Sequence, residues 1–293
     1  MKQYKFTDVT ELPSYEDVGI SFTINGVNVD STVEGYDTLT VAGRELVPRD
    51  LQTRNYRTTQ LGGTKRSLQN RSSTFGKNVL IGSTISTRTI VIQYRLKRNN
   101  NAEFIDSFEM LNYYINKENA RLIFGDDPEY FYIGTLSQVD DVDPDSNDVI
   151  STFGFECMDS FKYSVALQKL SIANGTTIDF GKEILYPIAL EKIELTVVNP
   201  ITDGFRLTNT SNGLELHFLG SFNAGDVITI DMLEPSIKIG ARDIANKLDI
   251  LSDLEEWTVA SGDSISTSND VTGMLYYREV ILWFYIYLTK MKM

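Results

Sequence analysis

An apolar side chain at every second position from residue 90 to residue 96, with Thr89, Val91, Gln93 and Arg95 on the opposite face, constrains the fold more than any other feature. The apolar side chains lie at every second position, at Ile90, Ile92, Tyr94 and Leu96. Successive side chains of a strand point to opposite faces, so this pattern is typical of a strand that packs one face into a core. The chain therefore contains at least one sheet that is buried on one side.

A helix is predicted directly after this strand. Asn100 can cap it, and Glu103 follows three residues later, close to a capping box. Apolar side chains then recur at helical spacing, at Phe104, Phe108, Leu111 and Ile115. These residues form one stripe, which we interpret as ordinary core packing. We expect the helix to end near Asn119.

Further strands are predicted after the helix, at residues 121–124, 130–136 and 149–157. The first two are joined by Gly125, Asp126, Asp127 and Pro128. Glycine tolerates a positive φ, aspartate can cap local amides, and proline fixes its own φ. We interpret these four residues as a turn and not as a catalytic carboxylate pair. Strand, helix, strand and hairpin in this order indicate an α+β module with one helix on a sheet.

The sequence of the first 80 residues predicts a tight hairpin and a longer segment that projects from the domain. Residues 20–24 alternate, Asn25-Gly26 is a hairpin signal, and residues 27–29 return as a strand. Residues 50–78 are polar and basic, with little periodicity. A structureless loop of that length is unusual unless it is functional. We therefore expect a hairpin or loop that projects from the domain at about residues 50–78.

The pattern changes near residue 164, after which no helical pattern of more than about two turns appears. Short strands separated by turn residues recur instead, at residues 192–198, 205–208, 214–219, 227–232 and 236–239. This spacing indicates an all-β sandwich or jelly roll. We predict a mainly β protein of two domains, an α+β domain at 1–164 and a β-sandwich at 165–293.

Charge is segregated along the chain. The net charge is −13, yet residues 44–98 carry 12 bases and two acids, while residues 99–164 carry three bases and 14 acids. One interpretation is two solvated faces of one fold. The other is a basic surface of one subunit that meets an acidic surface of the next, which suits head-to-tail association into rings. Nucleic-acid binding is disfavoured because the whole chain is acidic.

The residues that could carry chemistry do not form a catalytic pattern. His217 is the single histidine and alternates with Leu216 and Phe218, so we expect a half-exposed sheet residue. No serine lies in a Gly-x-Ser-x-Gly elbow. Cys157 has no cysteine partner, and we expect it to be a buried apolar residue. No nucleotide-binding glycine motif is present. We predict that the protein is not an enzyme and has no cofactor.

The acidic loop at residues 140–148 matches the calcium-binding template only in part. Asp141, Asp143 and Asp145 alternate as in a calcium loop. That template requires glycine at its sixth position and glutamate at its twelfth, where this chain has Ser146 and Thr152. We expect a solvated loop without a specific metal, although a weak Ca²⁺ contact stays open.

An apolar run at residues 280–288 is far shorter than the roughly 20 residues of a membrane-spanning helix. Its aromatic and β-branched composition favours a buried last strand, with a partner-facing strand as the alternative. We predict no membrane association.

Three stretches of the first domain match a known family in order and residue type. They are residues 88–95 before the helix, 121–132 after it, and 153–163, which close the domain. The chain resembles the distal tail proteins of siphophages that infect Gram-positive bacteria, the phage tail protein family. Ser160 departs from the family, whose members usually carry proline there.

The second domain resembles the galectin-like domain of the same family, through residues 225–231, Leu248-Asp249 and Trp257. The resemblance implies a structural protein of the virion, at the distal end of the tail. It implies a hexameric ring, or stacked hexamers, that joins the tail tube protein to the tail-associated lysin or fibre protein. The outward second domains would carry receptor-binding proteins or contact host wall polysaccharide.

DNA would pass through such a ring only in transit. Basic side chains in the lumen would bind phosphate and retard passage. We therefore expect the basic side chains at protein interfaces, where the candidates are Arg54, Arg57, Lys65, Arg66 and Arg71, together with Gly125, Asp126, Asp127 and Pro128.

The alternatives to this function are a carbohydrate-binding adhesin and a wall hydrolase. A carbohydrate-binding adhesin would need an exposed tryptophan beside groups such as Arg206, Asn209 and His217, and Trp257 is remote from them in sequence. A wall hydrolase has no positive sequence feature in its favour.

Overall fold

The computed structural model describes residues 20–45, 47, 49–56, 77–142, 146–181, 184 and 186–281, with the backbone alone for 52–56 and 77–82. Within that part of the chain, two compact units are present. The N-terminal unit takes the residues up to Asp126 and Tyr132–Ser160, and the C-terminal unit takes Asp127–Phe131 and the residues from Phe161 on. The predicted domain boundary near Ser164 stays a prediction.

The N-terminal unit is built on one sheet with the strand order β2-β1-β7-β8-β9-β6-β3. Its described elements are β1 (Phe22–Ile24), β2 (Val27–Asn28), α1 (Val29–Thr32), β3 (Tyr36–Ala42), β4 (Arg49–Tyr56), β5 (Lys77–Ile85), β6 (Arg88–Lys97), α2 (Asn101–Ile115), β7 (Ala120–Phe124), β8 (Tyr130–Val139) and β9 (Asp148–Cys157). Every pairing along this sheet is antiparallel.

The predicted alternation of β6 is confirmed. Ile90, Ile92, Tyr94 and Leu96 are buried, and the intervening side chains are partly exposed. Their face joins an aromatic core that includes Phe22, Phe124, Phe153 and Phe155. The alternation therefore predicted correctly which face of β6 packs into the core.

The helix α2 begins as predicted, because the Asn100 side chain accepts a hydrogen bond of 2.9 Å from the amide of Glu103. Leu111 and Ile115 are buried, and Phe104 and Phe108 are partly buried against the same core. The helix ends at Ile115, so the predicted end near Asn119 was too late.

Asn119 instead has a left-handed φ of 48° immediately before β7 starts at Ala120. Asparagine tolerates this left-handed conformation better than most residues do, which explains why an asparagine stands at this position.

The hairpin at Asn25-Gly26 is confirmed, with φ angles of 48° and 83° that suit a tight turn. The predicted return strand is wrong at its last residue. Val29 starts α1, because the Asn28 side chain caps the amide of Ser31 and turns the chain into a short helix.

The serine that departs from the family has a defined role. Ser160 is buried; its hydroxyl donates to the carbonyl of Ser86, and its own carbonyl accepts from Nε of Arg88 at 3.0 Å. Proline could not supply the hydroxyl donor.

The C-terminal unit contains a β-sandwich. The order of the larger sheet is β11-β21-β13-β16-β17-β18, with β19 beside β13, and that of the smaller sheet is β12-β20-β14-β15. The strands are β10 (Lys162–Ser164), β11 (Gln168–Ile172), β12 (Thr176–Thr177), β13 (Ile188–Val197), β14 (Phe205–Asn209), β15 (Glu215–Phe218), β16 (Val227–Asp231), β17 (Ser236–Ile239), β18 (Arg242–Asp243), β19 (Thr258–Val259), β20 (Ser264–Thr267), β21 (Val271–Tyr277) and β22 (Val280–Ile281), with a 3-10 helix at Ala245–Lys247.

One core fills the space between these two sheets. It includes Leu195 and Ile230 from the larger sheet and Leu207 and Phe218 from the smaller one. The five strands predicted from the recurring pattern are all present, with small shifts at their ends. The mainly β class with one principal helix is therefore confirmed, while the galectin-like assignment stays a prediction.

The apolar run at residues 280–288 begins as a strand. Val280 and Ile281 form β22, which pairs with Tyr163 and Lys162 of β10. Residues 282–288 lie outside the described part of the chain. None of the described helices is long and apolar enough to cross a membrane.

Candidate assembly surfaces

The predicted projection contains a two-stranded antiparallel ladder, which we call the arm. It consists of β4 and β5, and among the described strands these two pair only with each other. Arg54 lies in β4 opposite Val79. The other predicted interface bases lie outside the described residues, at Arg57, Lys65, Arg66 and Arg71.

Part of the positive charge of residues 44–98, which we call the basic window, is neutralised inside the chain. Arg95 holds Asp148 through two hydrogen bonds of 2.6 and 2.5 Å. Lys97 lies 3.2 Å from the same carboxylate, and Arg98 lies 2.7 Å from Glu34. These contacts join the basic window to nearby acids of the same unit, so charge segregation in sequence does not by itself create a basic face.

The remaining positive charge is concentrated in the arm and its connection. Residues 49–85 contain seven bases and one acid. Arg49 and Leu51 at the start of β4 are exposed. By sequence, residues 49–85 are therefore the best candidate for a basic segment that meets another molecule.

The turn at residues 125–128 has two acids in different environments. Asp126 is exposed, and both its oxygens accept from Arg44, at 2.7 and 2.6 Å. Arg44 also lies over the ring of Phe124, 4.6 Å from its centroid. Asp127 is buried and lies 2.6 Å from Lys162 in the C-terminal unit. Sequence patterns did not indicate Lys162, since nothing in Phe161-Lys162-Tyr163 shows that its ammonium is buried.

Gly125 is closely packed, which the sequence pattern did not predict. Its φ is not positive; instead, a Cβ there would lie 2.4 Å from Oγ of Ser21. The expectation of a left-handed glycine was therefore wrong, and the close neighbour of Gly125 is Ser21, the residue before β1. Gly125 and Pro128 are exposed. The part of these four residues in an interface stays a prediction.

Residues 47–155, which include the arm and α2, match the family model of the phage tail protein RIFT-related domain. The predicted resemblance to siphophage distal tail proteins is confirmed. No curated protein sequence matches the chain. Residues 47–155 are called the tail-protein domain below.

Solved structures that share the fold include two phage proteins. The Dit protein of phage SPP1, described as a paradigm of the hub adsorption apparatus in Gram-positive infecting phages, has a TM-score of 0.62 and 14% identity, over 88% of this chain and 98% of that one. A chain of the phage P2 baseplate in its activated conformation with calcium has a TM-score of 0.50 and 10% identity, over 90% and 99%. The likeness therefore extends beyond the tail-protein domain to nearly the whole chain.

The surface of the smaller sheet in the C-terminal unit carries the groups considered for sugar binding. His217 and Arg206 are opposite each other on β15 and β14. Nδ1 of His217 lies 3.1 Å from Asp249, and Arg206 lies 3.0 Å from Glu215. The backbone amide of Leu251, and then His217, lower the pKa of Asp249 below its usual range.

The other two residues of the sugar-binding template are unsuitable. Trp257 is 1% exposed and belongs to the sandwich core. Asn209 is fully buried, and its side chain donates to Asp263 at 2.6 Å. Neither side chain can stack on or hydrogen-bond to a sugar at the surface. The residues of this template therefore provide no exposed aromatic ring for a bound sugar, which weakens the adhesin hypothesis.

A turn beside His217 exposes two aliphatic side chains that the sequence patterns did not single out. Ile250 is 95% and Leu251 84% exposed. The turn is held to β15, because the amide of Asp249 donates to the His217 carbonyl and Ser252 accepts from the His217 amide. These side chains are presented on a well-fixed backbone and contribute nothing to the core.

Cys157 is buried, as predicted. Burial raises the pKa of its thiol to about 12, so the thiolate is strongly disfavoured near neutral pH. Among the described residues, no group of three His, Cys, Asp or Glu side chains could hold a metal ion. Asp143 and Asp145 of the acidic loop lie outside those residues.

Proposed function

We propose that this protein is a structural component of a phage tail tip, where it forms a hexameric ring at the distal end of the tail. The observation that carries the proposal is the agreement between the family match of residues 47–155 and the fold shared with the SPP1 hub protein over 88% of the chain. The ring joins the tail tube to the tail-associated lysin or fibre protein, and DNA passes through it.

The two units have different parts in this proposal. The tail-protein domain meets copies of itself, with the basic arm at the interface between subunits. The C-terminal unit points outward and carries receptor-binding proteins or contacts host wall polysaccharide. The exposed Ile250 and Leu251 favour a protein partner over a sugar, because sugar recognition relies on polar groups and aromatic stacking.

The role is structural and not enzymatic. Buried Cys157 and the surface pair of His217 and Asp249 are explained by packing and by turn formation. A zymogram of the purified protein on host cell walls is expected to show no clearing, and a cleared zone would contradict a purely structural role.

The proposal is tested by deleting the coding sequence from the phage and supplying the protein from a plasmid. Without the protein, we expect particles that lack a complete tail tip and do not infect. With it, antibody labelling should place the protein at the distal end of each tail. Infectious particles with complete tips in its absence would overturn the proposal.

A further inference from the structure

A turn beside β15 exposes two adjacent aliphatic side chains more fully than any other large apolar residue in the described part of the chain. Ile250 is 95% and Leu251 84% exposed, whereas Leu248 and Leu254 on either side pack against the sandwich core. We call residues 249–252 the aliphatic turn. Single apolar side chains are common on protein surfaces, but an adjacent pair that contributes nothing to its own core is suited to contact with another molecule.

The backbone of the aliphatic turn is fixed in this exposed position. The amide of Asp249 donates to the carbonyl of His217 at 2.8 Å, and the Asp249 carboxylate accepts from the amide of Leu251 at 3.0 Å. Immediately after the turn, Asp253 and Glu215 exchange two hydrogen bonds of 2.9 Å, one through the Asp253 carboxylate. A surface that is already ordered loses little conformational entropy when it binds, so the turn is preorganised for docking.

The aliphatic turn is bordered by negative charge. Residues 249–256 contain four acids and no lysine or arginine. Asp249 lies beside His217, and the Asp253 carboxylate accepts from a backbone amide. Glu255 and Glu256 are exposed, and neither forms an ion pair with any described side chain. The surface is therefore aliphatic at its tip and acidic at its border.

This combination of apolar tip and negative charge discriminates between occupants. If the turn met its own copy, acids would face acids across the contact, which opposes association. A membrane surface with anionic lipids would repel the turn for the same reason. A protein pocket that is apolar inside and carries lysine or arginine at its rim matches both parts of the surface.

We infer that the aliphatic turn docks into an apolar pocket, bordered by lysine and arginine, on a different protein of the tail tip. This inference rests on the proposed function and names the residues and the partner chemistry of its outward C-terminal unit. Ile250 and Leu251 supply the apolar area that is buried in the contact, and Glu255 and Glu256 orient the partner through its basic rim.

The first test is photo-cross-linking in assembled particles. The full-length protein with Ile250→p-benzoylphenylalanine is supplied from a plasmid to the phage that lacks the gene. After irradiation of purified particles, we expect one adduct between this chain and a different tail polypeptide. Peptide mass spectrometry should place the attachment in a segment with apolar residues next to lysine or arginine. Leu233→p-benzoylphenylalanine is the control and should give no such adduct, although Leu233 is 64% exposed.

The second test measures how much of that polypeptide each particle retains, relative to this chain. Ile250→Ser with Leu251→Ser should lower the retained amount about tenfold or more, because the apolar anchor is lost. Leu233→Ser should leave it within about twofold, as expected for a residue outside the contact. Quantitative gels of purified particles compare the two variants.

The third test reverses one charge at the border of the turn. Glu255→Lys should lower the retained amount about threefold or more, because a lysine then faces the basic rim. Glu234→Lys makes the same change in net charge at an exposed position of the β16–β17 turn, and should leave the amount within about twofold. Equal effects of the two variants would mean that net charge, and not this border, matters.

The outcomes separate this inference from the proposed function. An adduct with a second copy of this chain, or no adduct in particles that contain the protein, would overturn the inference and leave the tail-tip role intact. Flotation with vesicles of phosphatidylcholine and phosphatidylglycerol should show no binding, and binding that the double serine variant loses would make the turn a membrane contact instead. If particles without this chain have complete, infectious tips, the proposed function itself is wrong.

Discussion

Lys162 and Asp127 form a buried ion pair in the C-terminal unit: Nζ lies 2.6 Å from Oδ2, and the two side chains are only 2% and 4% exposed. Lys162 also lies over the ring of Tyr130, 4.3 Å from its centroid. Removal of one partner leaves a buried charge uncompensated. Lys162→Met should therefore lower the free energy of unfolding by about 3–5 kcal/mol.

Urea denaturation measures this change. The double variant Lys162→Met with Asp127→Leu should recover most of the loss, since neither charge remains. Lys192→Met is the matched control, because its pair with Glu194 is about one-third exposed and should contribute about 1 kcal/mol or less. Equal losses of unfolding free energy in the Lys162 and Lys192 variants would show that burial does not determine how much an ion pair contributes to stability.

Gly125→Ala should destabilise the N-terminal unit. The added Cβ would lie 2.4 Å from Oγ of Ser21, closer than van der Waals contact allows. The expected cost is small, about 1 kcal/mol or less of unfolding free energy, because the Ser21 hydroxyl can rotate to another rotamer. Ser21→Ala should remove most of this penalty in the double variant, and a thermal-melt series of the four proteins measures it. A full penalty that persists in the double variant would mean that the backbone, and not this hydroxyl, excludes a side chain.

Replacement of Ile250 and Leu251 by serine should leave stability within about 0.5 kcal/mol of the native value, because both side chains are almost fully exposed. Phe218→Ala in the adjacent strand is the contrasting variant. Its ring is fully buried, so about 3–5 kcal/mol should be lost. Chemical denaturation compares the two, and a large loss in the serine variant would show that the turn packs against something in the folded chain.

Asp148 should make stability depend on acid pH. The Arg95 side chain, followed by Lys97, lowers the pKa of Asp148 from 3.8 to about 2. The folded state thus favours the carboxylate, so the stabilisation is complete above about pH 4 and is lost as the pH falls towards 2. Urea midpoints against pH should show a shallower decline for Asp148→Asn over this window. Asp141→Asn is the control. If the decline in Asp148→Asn equalled that of the native protein, Asp148 would not be the cause of this dependence on pH.

The sequence was most informative where neighbouring residues decide the structure. Alternation in β6, the Asn100 cap of α2 and the Asn25-Gly26 turn all depend on local geometry, and all are confirmed. The sequence was least informative about pairing over distance. Lys162 meets a carboxylate 35 positions away, and the close approach of Ser21 to Gly125 depends on the register of β1 against β7.

The candidate interface shows the same limit. Composition located the excess of basic residues in residues 44–98, but not which of them are neutralised within the chain. Only the folded arrangement shows that Arg44, Arg95 and Arg98 pair with acids of the same unit, which leaves residues 49–85 as the basic segment that stays a candidate for an interface. Trp257 is a similar case, because a tryptophan near a predicted sheet can stack on a ligand or fill the core, and here it fills the core.

Native mass spectrometry of the full-length protein, alone and with purified tail tubes, tests the ring most directly. Each chain has a mass of 33.1 kDa, so the account predicts a closed hexamer of about 199 kDa, or two stacked hexamers of twice that mass. The hexamer should dissociate as ionic strength rises, because opposite charges join its subunits. A monomer in both samples over the whole concentration range, or an open series of masses without closure at six, would contradict the account.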